Sequence, residues 1–369
     1  MKIFFDYKIF FQQSYGGPSN YFINLNNELN KIRNKNINSK IFAPFFISKE
    51  LREFSNKKNK FGIYLPLIFK SIKFLDYLNK EISLFNLKFS NFDIYHTTYY
   101  GDNLDHKKKL PLIVTVFDLI HEIYKDNYYK NLSKNHFKKK ILDRADHIIC
   151  ISENTQSDLI KFYNIKKKKT SVIYLGKLCK DLVKNDNNFL RFTKPFFLYV
   201  GNRHNYKNFM LLLKSYSLSK KIMKDFDLLC FGGGIFSENE RLTINQLKIP
   251  FSNIKNVQGN NDILGELYRK AFALVYPSLY EGFGLPVLDA MTLGCPVLSS
   301  NSSSLPEVYG NAAISFNPNS EQDLLNSLIQ IGKDNLLREE MIEKGIKVSK
   351  LFSWKKCAEQ TLEVYKKFV

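Results

Sequence analysis

Short apolar runs alternate with longer amphipathic stretches along most of the chain. The runs are rich in β-branched and aromatic residues, as expected of parallel strands buried on both faces, and the stretches between them repeat apolar residues at helical spacing. The pattern therefore predicts an α/β protein. The predicted strands are residues 3–5, 92–96, 112–118, 148–151, 196–200, 227–231, 254–257, 271–276 and 296–298.

The polar, lysine-rich stretch 177–194 interrupts this alternation, and a second series of strands and helices follows it. Two such series predict two doubly wound, Rossmann-like domains that face each other across a cleft. We place the first domain at residues 1–180 and the second at residues 190–352. Residues 353–369 have the pattern of a final helix.

A tight glycine turn follows the predicted strand 271–276. Gly282 and Gly284 allow the backbone to turn sharply, and Pro286 suits the first position of the helix that begins there. The N–H groups and dipole of such a helix favour a bound anion by about 0.3 to 2 kcal/mol. Glu281 is itself negative, so we expect it to accept hydrogen bonds from sugar hydroxyls and not to bind phosphate.

A second candidate site follows the predicted strand 196–200. Gly201 opens a turn there, and Arg203 and Lys207 lie four residues apart. In isolation, two such cations are typical of a solvated surface. Doubly wound sheets, however, bind ligands at the carboxyl ends of their strands, so this position indicates a pyrophosphate site.

The segment YEGFGLPVLDAM, residues 280–291, resembles the E-x7-E signature of the family four retaining glycosyltransferases. The resemblance extends over nearly the whole chain and implies the two-domain GT-B architecture, in which the last helix crosses back to the first domain. It implies that Glu281 lies near the sugar of a nucleotide-sugar donor and that Asp289 holds the nucleotide ribose. Aspartate is one methylene shorter than the family's usual residue. For both acids, ordinary charges near a helix start are the alternative.

The same resemblance assigns roles to further residues. Arg203 and Lys207 correspond to the cations that neutralise the leaving diphosphate, a role that removes the need for a divalent metal. Gly16 and Gly17 resemble the glycine loop of the first domain, which closes over the donor phosphates. The full set of expected donor-binding residues is Gly16, Gly17, Gly201, Asn202, Gly259, Leu264, Gly282, Phe283, Gly284, Leu285 and Asp289.

Two histidines follow or end predicted strands of the first domain. Family members often have a histidine directly before the aspartate where this chain has Phe117, and His121 is the candidate replacement near the reacting sugar. His96 is the candidate on the acceptor side. A structural histidine near a strand end is the alternative for both.

The resemblance implies transfer of a hexose with retention. The amino-acid sequences of the motifs are most similar to those of mannosyltransferases of surface polysaccharide assembly. GDP-mannose is therefore the first expected donor and a UDP-sugar the second, with a glycan or lipid-linked glycan as acceptor. Retention through two carboxylates needs a second acid about 5 Å away, and the sequence shows no clear partner. A same-face route, in which the leaving phosphate takes the acceptor proton, fits better.

Two other classes of protein remain open. A nucleotide-sugar epimerase can share the architecture, although it would not be expected to carry the E-x7-E helix. A basic nucleic-acid-binding module would present lysines beside exposed aromatic residues. Here most of the 21 tyrosines and 32 phenylalanines lie in apolar periodic runs, so we expect no nucleic acid partner.

The formal net charge of +20 is compatible with attraction to an anionic membrane surface and also with a lysine-rich compositional style. Residues 67–89 combine apolar residues and lysines in a pattern compatible with a basic amphipathic helix, although packing of its apolar face in the core is the simpler interpretation. The lysine runs lie in the first half of the chain, at residues 107–109, 138–140 and 166–169.

Further features bear on location and metal binding. The five cysteines show no CxxC spacing, which favours a reducing compartment and argues against a zinc site. No apolar run reaches the roughly 18 residues of a spanning helix, and the start does not resemble a signal peptide. We therefore expect a cytoplasmic protein, at most peripheral on the inner face of the cytoplasmic membrane.

Two short patterns have ordinary structural interpretations. Asp225 and Asp227 form a DxD, but they precede a predicted strand instead of following one, which favours a solvated strand entry over a metal site. Ser304, Pro306 and Glu307 have the spacing of a capped helix start.

Overall fold

The structure is a computed structural model that describes residues 1–32, 36–66, 72–101, 110–124, 133–178, 192–203 and 205–369. The chain forms two compact units. The first unit comprises Met1–Gly176 together with Ser353–Val369, and the second comprises Lys177–Phe352. Parts of the predicted interdomain stretch, the lysine run 107–109 and the start of the predicted helix 67–89 lie outside the described residues.

Each unit contains one parallel sheet with helices between successive strands, which confirms the predicted doubly wound α/β class. The strands are β1 Lys2–Phe5, β2 Asn38–Phe46, β3 Lys60–Tyr64, β4 Ile94–Thr97, β5 Leu112–Val116, β6 His147–Cys150, β7 Thr170–Val172, β8 Phe196–Val200, β9 Asp227–Phe231, β10 Ile254–Val257, β11 Ala273–Tyr276, β12 Val297–Ser300 and β13 Ala313–Phe316. The helices are α1 Lys8–Gln12, α2 Gly17–Leu29, α3 Lys49–Glu53, α4 Ile72–Phe89, α5 Ile120–Ile123, α6 Ser133–Arg144, α7 Glu153–Tyr163, α8 Phe209–Ser217, α9 Lys220–Asp225, α10 Glu238–Gln246, α11 Asn261–Lys270, α12 Leu285–Thr292, α13 Leu305–Tyr309, α14 Glu321–Lys333, α15 Asn335–Ser349 and α16 Trp354–Tyr365.

Within the described part of the first unit, seven strands are ordered β3-β2-β1-β4-β5-β6-β7. The central strands are fully buried, as their continuous apolar runs predict. The final helix α16 packs against α2, where the rings of Tyr21 and Trp354 meet edge to face with centroids 6.0 Å apart. Its Ser353 hydroxyl caps the helix by accepting from the Lys356 N–H.

The six strands described in the second unit are ordered β10-β9-β8-β11-β12-β13. A buried core of side chains from β8, β9 and α8 holds this sheet, with Phe197, Tyr199 and Leu212 among its members. The strand order reverses between β8 and β11, so the chain leaves these two neighbouring strands in opposite directions. Such a reversal opens a crevice at the carboxyl ends of the strands, where doubly wound sheets bind ligands.

The predicted helix over residues 67–89 forms as α4, but its packing differs from the core interpretation. The Asn79 side chain pairs with both backbone groups of Phe45 in β2, at 2.7 and 3.0 Å, so a polar position faces the sheet. The opposite side carries four large apolar residues that are 58–66% exposed: Phe74, Tyr77, Phe85 and Phe89. We call these four residues the aromatic face of α4.

Four of the cysteines are described, and each is free and buried: Cys150, Cys230, Cys295 and Cys357. Burial raises the pKa of the Cys150 thiol to about 12. Among the helices that the structure describes, each is too short or too polar to cross a membrane.

Candidate active site

The structure brings Lys207 and Glu281 together at the strand-order reversal of the second sheet. Lys207 follows β8 and Glu281 follows β11, and the Lys207 Nζ lies 2.6 Å from the Glu281 Oε1. Burial disfavours the charged ammonium, but the neighbouring carboxylate outweighs it and raises the pKa of Lys207 above its ordinary value. The two side chains keep 17% and 11% of their surface exposed, so a ligand can reach the pair.

Tyr276, the last residue of β11, joins this pair. Its hydroxyl donates to the Glu281 Oε1 at 2.8 Å and accepts from the Lys207 Nζ at 3.1 Å. The Tyr276 hydroxyl, the Lys207 ammonium and the Glu281 Oε1 are therefore each within hydrogen-bond distance of the other two.

The glycine turn after Glu281 forms as predicted. Gly284 has a φ of 121° and directly precedes α12, which begins at Leu285. A Cβ at Gly284 would lie 2.7 Å from the Leu305 Cδ2, so the turn requires glycine for its dihedral angles and for space. Phe283 is buried and its ring meets that of Phe352 with centroids 5.8 Å apart. Because α12 begins only four residues after Glu281, its N-terminus lies beside the Lys207–Glu281 pair.

Two serines fix the main chain of this turn. The Ser303 Oγ accepts from the Glu281 N–H at 2.8 Å, and Ser303 has a φ of 51°. The Ser304 hydroxyl is shared between the carbonyls of Glu281 and Phe283, each at 2.9 Å. Ser304 is the N-cap residue of α13, as the spacing predicts, but its hydroxyl makes no side-chain cap on that helix. The buried carbonyls of the turn need a donor, and Ser304 supplies it.

Arg203 has different surroundings from Lys207. It is only 4% exposed, and its Nε donates to the Glu240 Oε1 at 2.7 Å. Its terminal nitrogens donate to four successive backbone carbonyls, those of Gly232, Gly233, Gly234 and Ile235, at 2.7 to 3.2 Å. Burial alone would raise the pKa of Glu240, but the hydrogen bond and charge of Arg203 lower it.

The loop that Arg203 holds consists of three glycines in the left-handed region. Gly232, Gly233 and Gly234 have φ values of 89°, 70° and 72°. A Cβ at Gly233 would lie 2.8 Å from the Arg203 Nη1. The arginine and the glycines therefore fit one another, and most of the guanidinium N–H groups are occupied by this loop and Glu240.

Asp289 lies in the second turn of α12 and is almost fully buried. Its Oδ1 accepts from the backbone N–H of Leu178 at 2.8 Å. A ribose contact by this carboxylate stays a prediction.

The other expected donor residues of the second unit border the same carboxyl edge. Gly201 has a φ of 127° and its N–H donates to the Phe231 carbonyl. The Asn202 carbonyl accepts from the buried Tyr199 hydroxyl at 2.5 Å. Gly259 and Leu264 lie just before and within α11, and Gly282 lies in the turn after Glu281.

The first unit contains a cavity of about 360 Å³. His121, on the short helix α5, lines it together with Tyr99, Tyr100 and Lys138. The Lys138 ammonium lies 3.0 Å from the Glu122 Oε1 and 4.8 Å from the centre of the Tyr100 ring. The cavity therefore offers aromatic surfaces and charged groups side by side. Gly16 and Gly17 lie at the start of α2, and the next residue, Pro18, is part of the lining.

His96 does not line this cavity, and its expected acceptor-side role is corrected. The residue is fully buried in β4, with its ring nitrogens 2.6 Å from the Tyr365 hydroxyl and 2.8 Å from the Thr115 Oγ1. Burial lowers the pKa of His96 to about 3, so the ring is neutral. His96 therefore links α16 to the sheet. The predicted role was wrong because the position of a residue at a strand end does not decide which way its side chain points.

Two sequence families match most of the chain. The family described as Glycosyl transferases group 1 matches residues 183–348, and Glycosyltransferase Family 4 matches residues 15–176. The chain belongs to these glycosyltransferases.

Its relatives include the O-antigen chain mannosyltransferase B of Escherichia coli, which is 28% identical over 73% of this chain and 74% of the relative. The O-antigen chain mannosyltransferase RfbU of Salmonella typhimurium is also 28% identical, over 66% of each chain. Among solved structures, HepE from Anabaena in complex with UDP and glucose has a TM-score of 0.77, 15% identity and full coverage of both chains. The glycosyltransferase described here therefore has the GT-B fold.

Within the residues that the structure describes, the glycosyltransferase has no group of three or more histidine, cysteine or acidic side chains that could hold a metal ion. Asp227 of the DxD lies at the start of β9 and pairs with Lys255 at 2.7 Å. Asp225 ends α9, so the two acids lie at a strand entry as expected, but Asp227 is buried and not solvated.

Sequence reasoning missed several residues that shape this glycosyltransferase site. Tyr276 was hidden because a tyrosine inside an apolar run looks like any core aromatic residue. The Arg203–Glu240 contact joins residues 37 positions apart, and no pattern in the sequence around either residue predicts it. The triplet Gly232–Gly234 was a visible signal, since three consecutive glycines after a predicted strand indicate an unusual turn.

Proposed function

We propose that this glycosyltransferase transfers a hexose from a nucleotide diphosphate sugar, with retention, to a glycan or lipid-linked glycan during assembly of a surface polysaccharide. The Lys207–Glu281 pair beside the N-terminus of α12 carries the proposal. A cation and a helix N-terminus suit a diphosphate, and a carboxylate suits sugar hydroxyls. Mannose from GDP-mannose is the first donor, because O-antigen mannosyltransferases are among the relatives. A UDP-sugar is the alternative, which the UDP-bound HepE supports.

The proposed mechanism divides the work between the two side chains. The Lys207 ammonium and the backbone N–H groups at Gly284 and Leu285 stabilise the charge that grows on the leaving diphosphate. Glu281 orients the sugar through its hydroxyls. The leaving phosphate takes the proton of the acceptor hydroxyl on the same face, so the new bond forms where the old one breaks. His121 lines the cavity of the first unit, and its role at the reacting sugar stays a prediction.

A thermal-shift screen of GDP-mannose, UDP-glucose and ADP-glucose tests the donor. A ligand at about 100 times its dissociation constant stabilises the protein by roughly 2.7 kcal/mol, so the correct donor should shift the unfolding midpoint visibly. Binding of donor followed by release of the nucleotide diphosphate only when acceptor is added supports transfer. Conversion of the donor alone into an isomer supports an epimerase instead.

We predict that turnover does not require a divalent metal, because Lys207 and the N-terminus of α12 supply the positive charge at the diphosphate. The rate should stay within about twofold of its initial value after dialysis against EDTA. A complete loss of rate that magnesium or manganese restores would contradict this prediction.

The acceptor is proposed to enter the cavity of the first unit. Tyr99 and Tyr100 present aromatic surfaces against which a sugar ring can pack, and Lys138 and Glu122 offer a donor and an acceptor of hydrogen bonds. Burial and the nearby Asp118 and Glu122 carboxylates raise the pKa of Tyr99 to about 12. Its hydroxyl therefore stays protonated near neutral pH and can donate to a sugar oxygen.

The first unit is also proposed to dock on the anionic inner face of the cytoplasmic membrane. It contains 34 lysines and arginines against 18 acids, whereas the second unit contains 21 against 17. A surface that combines exposed aromatic rings with lysines is typical of helices that lie in the membrane interface. The aromatic face of α4, with Lys73 and Lys88 exposed beside it, has this combination.

Replacing the aromatic face of α4 by serines should weaken binding to anionic vesicles by at least about 10-fold, because each large apolar side chain contributes about 1.5 to 3 kcal/mol when fully buried. Sedimentation with vesicles containing phosphatidylglycerol measures the effect. The matched control replaces three exposed apolar residues of the second unit, Leu242, Leu336 and Leu351, by serine and should bind as the unmodified protein does.

The salt dependence and lipid charge separate membrane docking from unspecific adsorption. Binding should decrease between low and physiological salt, where the screening length is about 8 Å. Equal binding to neutral and anionic vesicles, or equal loss in the control variant, would rule out docking through α4.

A further inference from the structure

The Tyr276 hydroxyl is a buried polar group that the proposed reaction does not use directly. Tyr276 is 1% exposed and lies at the carboxyl end of β11, next to β8 in the sheet. Its hydroxyl is within hydrogen-bond distance of the Glu281 Oε1 and of the Lys207 Nζ. The Lys207 ammonium also lies 5.4 Å from the centre of the Tyr276 ring. One residue therefore contacts both charged groups of the site.

The direction of these hydrogen bonds follows from the protonation of the tyrosine. Burial, together with the Glu281 carboxylate, raises the pKa of Tyr276 well above its ordinary value. The hydroxyl therefore keeps its proton and donates it to the carboxylate, while its lone pair accepts from the ammonium.

The consequence concerns the two oxygens of Glu281. Oε1 accepts from both Tyr276 and Lys207, whereas Oε2 accepts no hydrogen bond from any residue in the described ranges. The Glu281 main chain is held separately by Ser303 and Ser304. Because the backbone and Oε1 of Glu281 are both held in place, Oε2 points in a single direction, from which it can accept a hydrogen bond from a ligand.

We propose that Tyr276 is a positioning residue, which holds Glu281 and Lys207 in the one arrangement that presents the free carboxylate oxygen to the donor sugar. The proposal rests on the proposed glycosyl transfer. Tyr276 does not touch the substrate in this arrangement. It acts by limiting the rotation of the carboxylate and of the lysine side chain, which otherwise have several rotamers.

The variant Tyr276→Phe removes the hydroxyl and leaves the buried ring in place. Without the hydroxyl, Glu281 and Lys207 can adopt rotamers other than the productive one, so kcat should decrease by about 10- to 100-fold. The Michaelis constant for the donor should stay within about twofold, because donor binding is shared with the diphosphate contacts.

A matched control is available in the same unit. Tyr216 is also fully buried, and its hydroxyl donates to the Phe226 carbonyl at 2.7 Å, in the core. Tyr216→Phe should therefore reduce stability as much as Tyr276→Phe does, with kcat unchanged. Equal kcat for Tyr276→Phe and the unmodified enzyme would overturn the proposal.

A double-mutant cycle separates positioning from general packing. In the Glu281→Gln background, Tyr276→Phe should lower kcat by a factor at least about threefold smaller than in the unmodified enzyme, because only the contact with Lys207 remains to be lost. The same loss in both backgrounds would show that Tyr276 acts independently of Glu281 and would overturn the proposal.

A measurement without turnover keeps the test independent of the proposed reaction. The Lys207 ammonium should give a sharp nitrogen signal in lysine-labelled NMR spectra of the unmodified protein, and Tyr276→Phe should broaden it through exchange with water. An unchanged signal would overturn the positioning role even if no sugar donor is found. Failure of every donor to react, with a broadened signal, would overturn the proposed function alone.

Discussion

Arg203→Ala should lower the free energy of unfolding of the second unit by about 3 to 5 kcal/mol, because it leaves the Glu240 carboxylate buried without its partner. It also removes the hydrogen-bond donors to the carbonyls of the loop Gly232–Ile235. The glycines of this loop have dihedral angles that would be strained for any other residue. Urea unfolding followed by fluorescence measures the change.

The double variant Arg203→Ala, Glu240→Ala serves as the control for this effect. Removing both charges should cost less than the sum of the two single changes, because no unpaired charge is then buried. A stable Arg203→Ala variant with turnover reduced 100-fold would instead support the diphosphate role that the sequence suggests.

Lys207→Ala should lower kcat by about 10² to 10³, as expected when an electrostatic group is removed from a transition state. Lys207 keeps part of its surface exposed beside Glu281 and can approach a diphosphate. Steady-state kinetics with saturating donor measures the loss, and circular dichroism checks that the fold is retained.

Lys214→Ala is the matched lysine control. Lys214 lies on α8 in an exposed pair with Glu321, a type of contact worth about 0 to 1 kcal/mol. Its removal should leave kcat unchanged. If Lys207→Ala has a near-normal rate, the diphosphate is neutralised elsewhere.

The contrast between Arg203 and Lys207 shows where sequence reasoning ends. Both cations follow the same predicted strand, and local sequence gives no reason to separate them. Their partners, Glu240 and Glu281, lie 37 and 74 positions further along the chain. Only the order of the strands decides which acid meets which cation.

The glycine turn at Gly284 was predictable, because its dihedral angles and the following helix are encoded within a few residues. Nine of the thirteen described strands were predictable for the same reason, since buried parallel strands appear as continuous apolar runs. The strands β2, β3, β7 and β13 were missed, and three of these, β3, β7 and β13, lie at sheet edges and are less buried. The orientation of α4 was not predictable, because both of its sides carry apolar residues. Which side packs on the sheet depends on the hydrogen bonds between Asn79 and Phe45 of β2. His96 was misplaced for a similar reason, since its partner Tyr365 is 269 positions away.

The composition of the first unit from two separate stretches has a consequence for synthesis on the ribosome. Met1–Gly176 emerges first, but α16, which covers α2 and supplies Tyr365 to His96, emerges only after Lys177–Phe352 has been translated. At about 5 to 20 residues per second, that delay is roughly 10 to 40 s. Throughout it, the surface of α2 around Tyr21 lacks its cover, so nascent chains should be most prone to chaperone binding in this interval.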